Sequence, residues 1–184
     1  MPVHLQRATA DCIVIGCFFS LQPGECVCAR GDNNHPFNLQ DVSVVTPNGT
    51  FNAATATEAQ LQSATAANLL FATQKNGERG KTVTQGDAFS VLLSPVRALI
   101  RRIRHLRSVC APADTPICTA FVDGIPTHVT SSLLTAALCT SCSAIGNSLG
   151  LRPHDISARA LRAGGAMASL RAGVNPLVIR MVGR

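Results

Sequence analysis

The chain has 184 residues, enough to bury a real core in one domain, and its 46% hydrophobic and 14% charged content excludes an intrinsically disordered segment. A net charge of +6 suits a polyanionic partner, although a basic composition alone does not name one. No apolar run in the sequence is long enough to cross a membrane.

Ala8 to Leu21 is almost continuously apolar, which predicts a central, buried helix rather than a surface one. Leu21-Gln22-Pro23-Gly24-Glu25 ends it, with Pro and Gly as punctuation. Cys26 to Asn38 reads as a loop rich in Gly, Asp and Asn. Leu39 to Val45 alternates as a short strand, turned by Pro47-Asn48-Gly49, and the alanine-rich Thr55 to Ala67 predicts a short helix. Leu69 to Gln74 and Glu78 to Thr84 flank Lys75-Asn76-Gly77, whose Asn-Gly pair supplies the positive-φ residues of a type I′ hairpin turn. Lys75 sits at that tip. On residue chemistry alone it is a solvated turn lysine, and Gln22 is a polar helix-end residue.

Pro95 to Arg107 is the clearest amphipathic helix. Val96, Leu99, Ile100, Ile103 and Leu106 share one face, Arg97, Arg101, Arg104 and Arg107 carry the opposite side, and Arg102 lies beside the apolar stripe. The basic face is either a row of phosphate contacts, whose affinity salt would remove, or an ordinary solvated face. It shows no base-reading pattern. Ile117 to Val122 reads as a strand closed by Asp123-Gly124, and Thr130 or Ser131 caps a long helix through Leu149 with Leu133, Leu134, Ala137, Leu138, Ser141 and Ile145 at helical spacing. Asp155 or Ser157 is the expected N-cap of the next helix. There Arg159 and Arg162 stand three apart, so their guanidinium groups share a face and converge on one anion. Gly164 and Gly165 are poor helix formers, and their pairing implies close approach of a neighbouring helix or of a nucleic-acid backbone. Pro176 suits the first turn of a last helix that runs to Arg184.

Eight cysteines admit two readings, disulfides in a secreted protein or reduced thiols buried as small hydrophobes. Residues 12 to 21 resemble the apolar part of a secretory signal, and Asn48-Gly49-Thr50 is a glycosylation sequon. Asp11 directly before the apolar run, and the wide separation of Cys26-x-Cys28 from Cys139-x-x-Cys142, favour reduced thiols. No His lies at ligand spacing from either pair, so no metal is expected there.

Ser157 to Arg184 resembles the C-terminal part of the tyrosine recombinase (phage integrase) catalytic domain, in the form carried by eukaryotic mobile elements. That family has a His-x-x-Arg box, a small-residue run, a helix and a Gly-Arg-Trp segment, with the nucleophilic Tyr further on. Arg162 matches the box arginine, Arg159 stands where the histidine is expected, and Gly183-Arg184 matches the start of Gly-Arg-Trp. Gln-Lys-Asn-Gly around Lys75 is similar to the family's catalytic-lysine hairpin, and Leu21 to Glu25 is similar to its Leu-Arg-Pro-Gly-Glu box with Gln22 in place of arginine. The resemblance implies a mainly helical domain with a small antiparallel sheet (α+β), lacking the family's C-terminal end, with residues 1–184 as one partial catalytic domain and no N-terminal core-binding domain. It implies duplex DNA as partner, with self-association or a recombinase subunit as a further partner. It also implies an intracellular place, nuclear or cytoplasmic, and no cofactor. Lys75, Arg159 and Arg162 are then the surviving catalytic positions, with Arg97, Arg101, Arg104, Arg107 and Arg184 as DNA contacts.

Two departures from the family pattern bear on activity. The chain contains no Tyr, so it cannot form a phosphotyrosyl link by itself. Gln22 also removes a charged donor, and losing one preorganised donor costs roughly a hundred- to a thousand-fold in rate. The expectation is an inactive, DNA-binding relative. The alternatives are a subunit that borrows Tyr in trans and a secreted disulfide protein unrelated to DNA.

Overall fold

The computed structural model describes residues 1–28, 36–71, 80–88, 90 and 92–183. The first helix, α1, is Val3–Phe18, and Leu5, Ala8, Cys12 and Ile15 enter the core from it. It starts and ends earlier than the apolar run suggests, because Phe19 to Leu21 turn away through Ser20 at φ 51° while Phe19 and Leu21 remain buried. Pro23–Cys26 then forms the single turn α2. Pro23 occupies its first position, and the Glu25 carboxylate accepts the Gln22 N–H at 2.8 Å.

A four-stranded antiparallel sheet follows, with β1 (Val42–Thr46), β2 (Gly49–Asn52), β3 (Ala66–Phe71) and β4 (Lys81–Gly86) in the order β2-β1-β3-β4. Leu39–Asp41, expected as strand, is a 3-10 turn, because the Asp41 carboxylate accepts the Asn38 N–H at 2.9 Å and curls the chain before β1 begins. Only Glu58–Gln62 (α3) of the expected Thr55–Ala67 helix is helical. Thr57 caps it and Ser63 ends it, and Ala66 and Ala67 are drawn into β3 by pairing with Val45 and Val44. Val42, Val44, Ala67, Leu69, Phe71 and Val83 turn one face of the sheet to the core. Phe71 opposite Lys81 fixes the register of the β3–β4 hairpin, whose tip, residues 72–79 with Lys75, lies outside the described residues.

Helix α4 (Pro95–Ser108) covers that buried face, with Ser94 capping it through the Arg97 N–H at 3.0 Å. Its apolar side is as expected, and Val96, Leu99, Ile103 and Leu106 are fully buried. Each such side chain contributes about 1.5–3 kcal/mol of transfer free energy. The strand expected at Ile117–Val122 is β5 (Thr119–Val122), which turns through Asp123-Gly124 into β6 (Ile125–His128). Two isolated bridges tie distant segments together, Cys28 to Thr130 and Asn38 to Pro116.

Thr130 caps α5 (Ser131–Leu149) by accepting the Leu133 N–H at 3.3 Å. Of the face expected on this helix, Leu134 is buried and Leu133 and Leu138 are half-buried, whereas Ser141 and Ile145 are exposed. A 3-10 turn at Pro153–Asp155 leads to α6 (Ala160–Arg171), and Gly173 at φ 80° ends that helix before α7 (Pro176–Gly183). The Asn175 side chain accepts the Leu177 N–H at 2.9 Å, so Pro176 does open the last helix. Among the described residues the architecture is α+β, helices around a small antiparallel sheet, with α1 in the middle and packed against α4, α5, α6 and β5. No described helix is long and apolar enough to cross a membrane.

Candidate functional site

Arg159 occupies the N-cap position of α6 and is exposed, and Arg162 follows within the first turn, half-buried. The i, i+3 spacing puts both on one side of the helix start, as their sequence separation requires. Neither expected N-cap residue performs that role. Asp155 pairs with Arg152 instead, Nε to Oδ2 at 2.9 Å, and that guanidinium holds its carboxyl below the usual range. Ser157 offers only its carbonyl, which accepts the Ala160 N–H at 2.9 Å. No side chain therefore caps α6 at its N-terminus, where the helix dipole is positive and Arg159 adds a full charge.

Gly165 explains how α6 is seated. A Cβ built there would overlap the Cys17 carbonyl oxygen, so only glycine lets α6 lie this close to α1. Gly164 faces open space. The close approach is to a neighbouring helix. A second glycine, Gly16 on α1, is a meeting point. A Cβ at Gly16 would come within 3.3 Å of Leu161 Cδ1 and 3.5 Å of Cys26 Sγ. The segment that carries Gln22 and the helix that carries Arg162 thus pack on the same turn of α1. Gln22 is the half-buried N-cap residue of α2. Lys75 and Arg184 lie outside the described residues, so their positions relative to Arg159 and Arg162 are not part of this geometry.

The basic side of α4 is exposed, and each of its four arginines meets a residue of another segment. Arg97 meets Asp87 at 3.4 Å, Arg101 meets the buried Asp11 at 2.6 Å, Arg104 pairs with Glu58, and Arg107 donates to the Ala56 carbonyl. Three of these four guanidinium groups thus stand beside a carboxylate, which lowers the positive potential that the sequence alone suggests. Arg97, Arg101 and Arg104 line a shallow pocket of about 290 Å³ with Asp87 and Gln62. Arg102 departs further from expectation. It is 2% exposed, and its guanidinium donates to the carbonyls of Ile117 and Thr119, joining α4 to the start of β5.

All eight cysteines are free thiols, four buried, three half-buried and one, Cys110, exposed. Residues 12 to 21, which resemble part of a secretory signal, supply Cys12, Ile15, Phe19 and Leu21 to the core. Burial and a contact with Cys26 leave the Cys12 thiol far above its ordinary pKa, the contact being the larger cause. Cys139 Sγ donates to the Pro153 carbonyl at 3.2 Å. One thiol group was not visible in the local spacing of the sequence. Cys28, Cys118 and His128 bring their donor atoms within 4.8 Å of one another, with the two sulfurs 3.8 Å apart. The contact with Cys118 pulls Cys28 down to about 7 and pushes Cys118 well above the ordinary thiol value. The only signal in the sequence was the Asp123-Gly124 turn, whose hairpin register sets Thr119 opposite His128 and so places His128 beside Cys118. No protein-family model, no curated protein and no solved structure matches the chain.

Proposed function

We propose that the chain is a tyrosine-recombinase-like protein that binds duplex DNA through the start of α6 and does not break or rejoin strands. One observation carries this reading: the Gln22 turn and the Arg162 helix, two of the motifs that resemble the family, pack on the same turn of α1 although about 140 residues of sequence separate them. The α+β order, with the paired strands β3 and β4 between those two motifs, accords with it.

The proposed chemistry is limited to binding. Arg159 and Arg162, at the positive end of the α6 dipole, supply positive charge and guanidinium donors for one backbone phosphate. Gln22 is uncharged and the chain has no Tyr, so the charge that grows on a phosphate during strand cleavage meets one donor fewer and no nucleophile. The reading places the protein with DNA inside the cell, nuclear or cytoplasmic.

The test is fluorescence anisotropy of a mixed pool of short labelled duplexes at several salt concentrations. Binding should weaken steeply as salt rises, and Arg159→Ala with Arg162→Ala should reduce the log–log slope by about one per phosphate contact removed. A folded sample that binds no duplex at low salt would overturn the proposal. A covalent adduct formed by the chain alone would overturn its second half.

A further inference from the structure

We propose that Cys28, Cys118 and His128 form a binding site for a zinc-class divalent metal ion, with two thiolates and one imidazole as ligands. The case begins with the backbone. Cys28 is held by its parallel bridge to Thr130, Cys118 by its carbonyl accepting the Val129 N–H at 3.0 Å, and His128 by its register opposite Thr119. Two parts of the chain far apart in sequence, the segment at Cys28 and the hairpin of Cys118 and His128, therefore deliver donors to the same point, and backbone pairing fixes each of them. Local spacing could not show this, because the nearest two ligands are ten residues apart.

The distances suit a metal. With metal–sulfur bonds of about 2.3 Å and tetrahedral angles, two thiolate sulfurs lie about 3.8 Å apart. The two sulfurs are separated by 3.8 Å, and the imidazole donor falls within the 4.8 Å cluster. The surroundings provide what such a site needs. Thr119 Oγ1 lies 2.9 Å from His128 Nδ1, a contact that fixes the ring. Arg102 donates to the carbonyls of Ile117 and Thr119, on either side of Cys118, so the buried ligand is held from both neighbours. Its guanidinium also places positive charge near a sulfur that must be a thiolate in the complex.

Burial grades across the cluster, with Cys118 buried, Cys28 half-buried and His128 exposed. Among the described residues no fourth side chain joins the three. On binding, the thiols of Cys28 and Cys118 each give up their proton to solvent, His128 binds as the neutral imidazole, and two metal–sulfur bonds and one metal–nitrogen bond form. No electron moves.

The test uses the full reduced chain, titrated with Co²⁺ and then with Zn²⁺. One equivalent of Co²⁺ should give a thiolate-to-metal charge-transfer band and the intense visible bands of a tetrahedral centre, and Zn²⁺ should abolish both. His128→Ala changes an exposed residue and should leave the circular dichroism spectrum unchanged while weakening Co²⁺ binding by about a hundredfold. Cys28→Ser should remove part of the charge-transfer intensity, Thr119→Val should weaken binding roughly tenfold, and Cys110→Ser should change nothing. Absence of the charge-transfer band in folded protein would overturn the assignment. Equal affinity in His128→Ala would also overturn it, by showing adventitious binding to thiols elsewhere in the chain.

Discussion

Gly165 and Gly164 are chemically identical neighbours with opposite duties. Gly165→Ala would drive a methyl group into the Cys17 carbonyl and force α6 off α1. Overpacking of this kind costs about 2–3 kcal/mol, to be read from urea unfolding of the variant. Gly164→Ala meets only open space and should instead gain up to about 1 kcal/mol from helix propensity. Equal effects of the two substitutions would contradict the packing. His105 supplies a pH-dependent counterpart. Its Nε2 accepts the Phe121 N–H at 3.0 Å, its ring stacks on His4, and burial, ahead of the Arg102 and His4 charges, lowers its pKa below 6.5. The unfolded chain therefore takes up the proton first. Stability from this residue is complete above pH 6.5 and falls as the pH drops through that value toward the folded pKa. Denaturant midpoints between neutral and mildly acidic pH should follow that direction, and His105→Gln should flatten the trend.

At the scale of elements, α4 shows what was legible and what was not. Its apolar face could be read directly, since Val96, Leu99, Ile103 and Leu106 repeat at helical spacing and are all buried. The fate of its arginines could not, because Asp11, Glu58, Asp87 and Ala56 belong to other segments of the chain and reach α4 only through tertiary packing. Arg102 was misplaced for the same reason. An arginine beside an apolar stripe is expected to reach for water, yet two backbone carbonyls near β5 satisfy it inside. Arg102→Ala should cost about 3 kcal/mol, with the carbonyls of Ile117 and Thr119 left short of a donor, as measured by equilibrium unfolding. Asp11 behaves differently. Burial raises its pKa above 3.8 and outweighs the opposing pull of Arg101. Stability from Asp11 is thus greatest below pH 3.8 and declines as pH climbs through the folded pKa. Asp11→Asn should leave the protein at least as stable at neutral pH, and a large loss confined to neutral pH would show that the ion pair outweighs its desolvation.

Across the whole molecule, the α+β class, the central first helix and the β3–β4 hairpin were readable from apolar pattern and turn residues. Strand β2 was not, because its four residues are mostly exposed and carry no apolar alternation, and the cluster of Cys28, Cys118 and His128 was not, because pairing between distant segments brings Cys28 to the other two. The apolar surface is unevenly spread. Met167, Leu177 and Met181 are each more than half exposed, and a groove of about 510 Å³ beside them is lined by Phe18, Ala172, Val178 and Val182. Exposed apolar surface of this kind promotes association. Leu177→Glu with Met181→Glu should lower the concentration dependence of the sedimentation coefficient while leaving the unfolding midpoint nearly unchanged.

The two isolated bridges also bear on the order of folding events. Each closes a loop of roughly eighty to a hundred residues, whereas the hairpins of the four-stranded sheet close loops of a few to about twenty. Closing the longer loops sacrifices more chain entropy before any contact rewards it, so the sheet and α4 are placed to form first. Cys28, Cys118 and His128 would then meet late. During synthesis and refolding these thiols stay apart longest, which makes that interval the one in which an oxidant would most readily divert them to other partners.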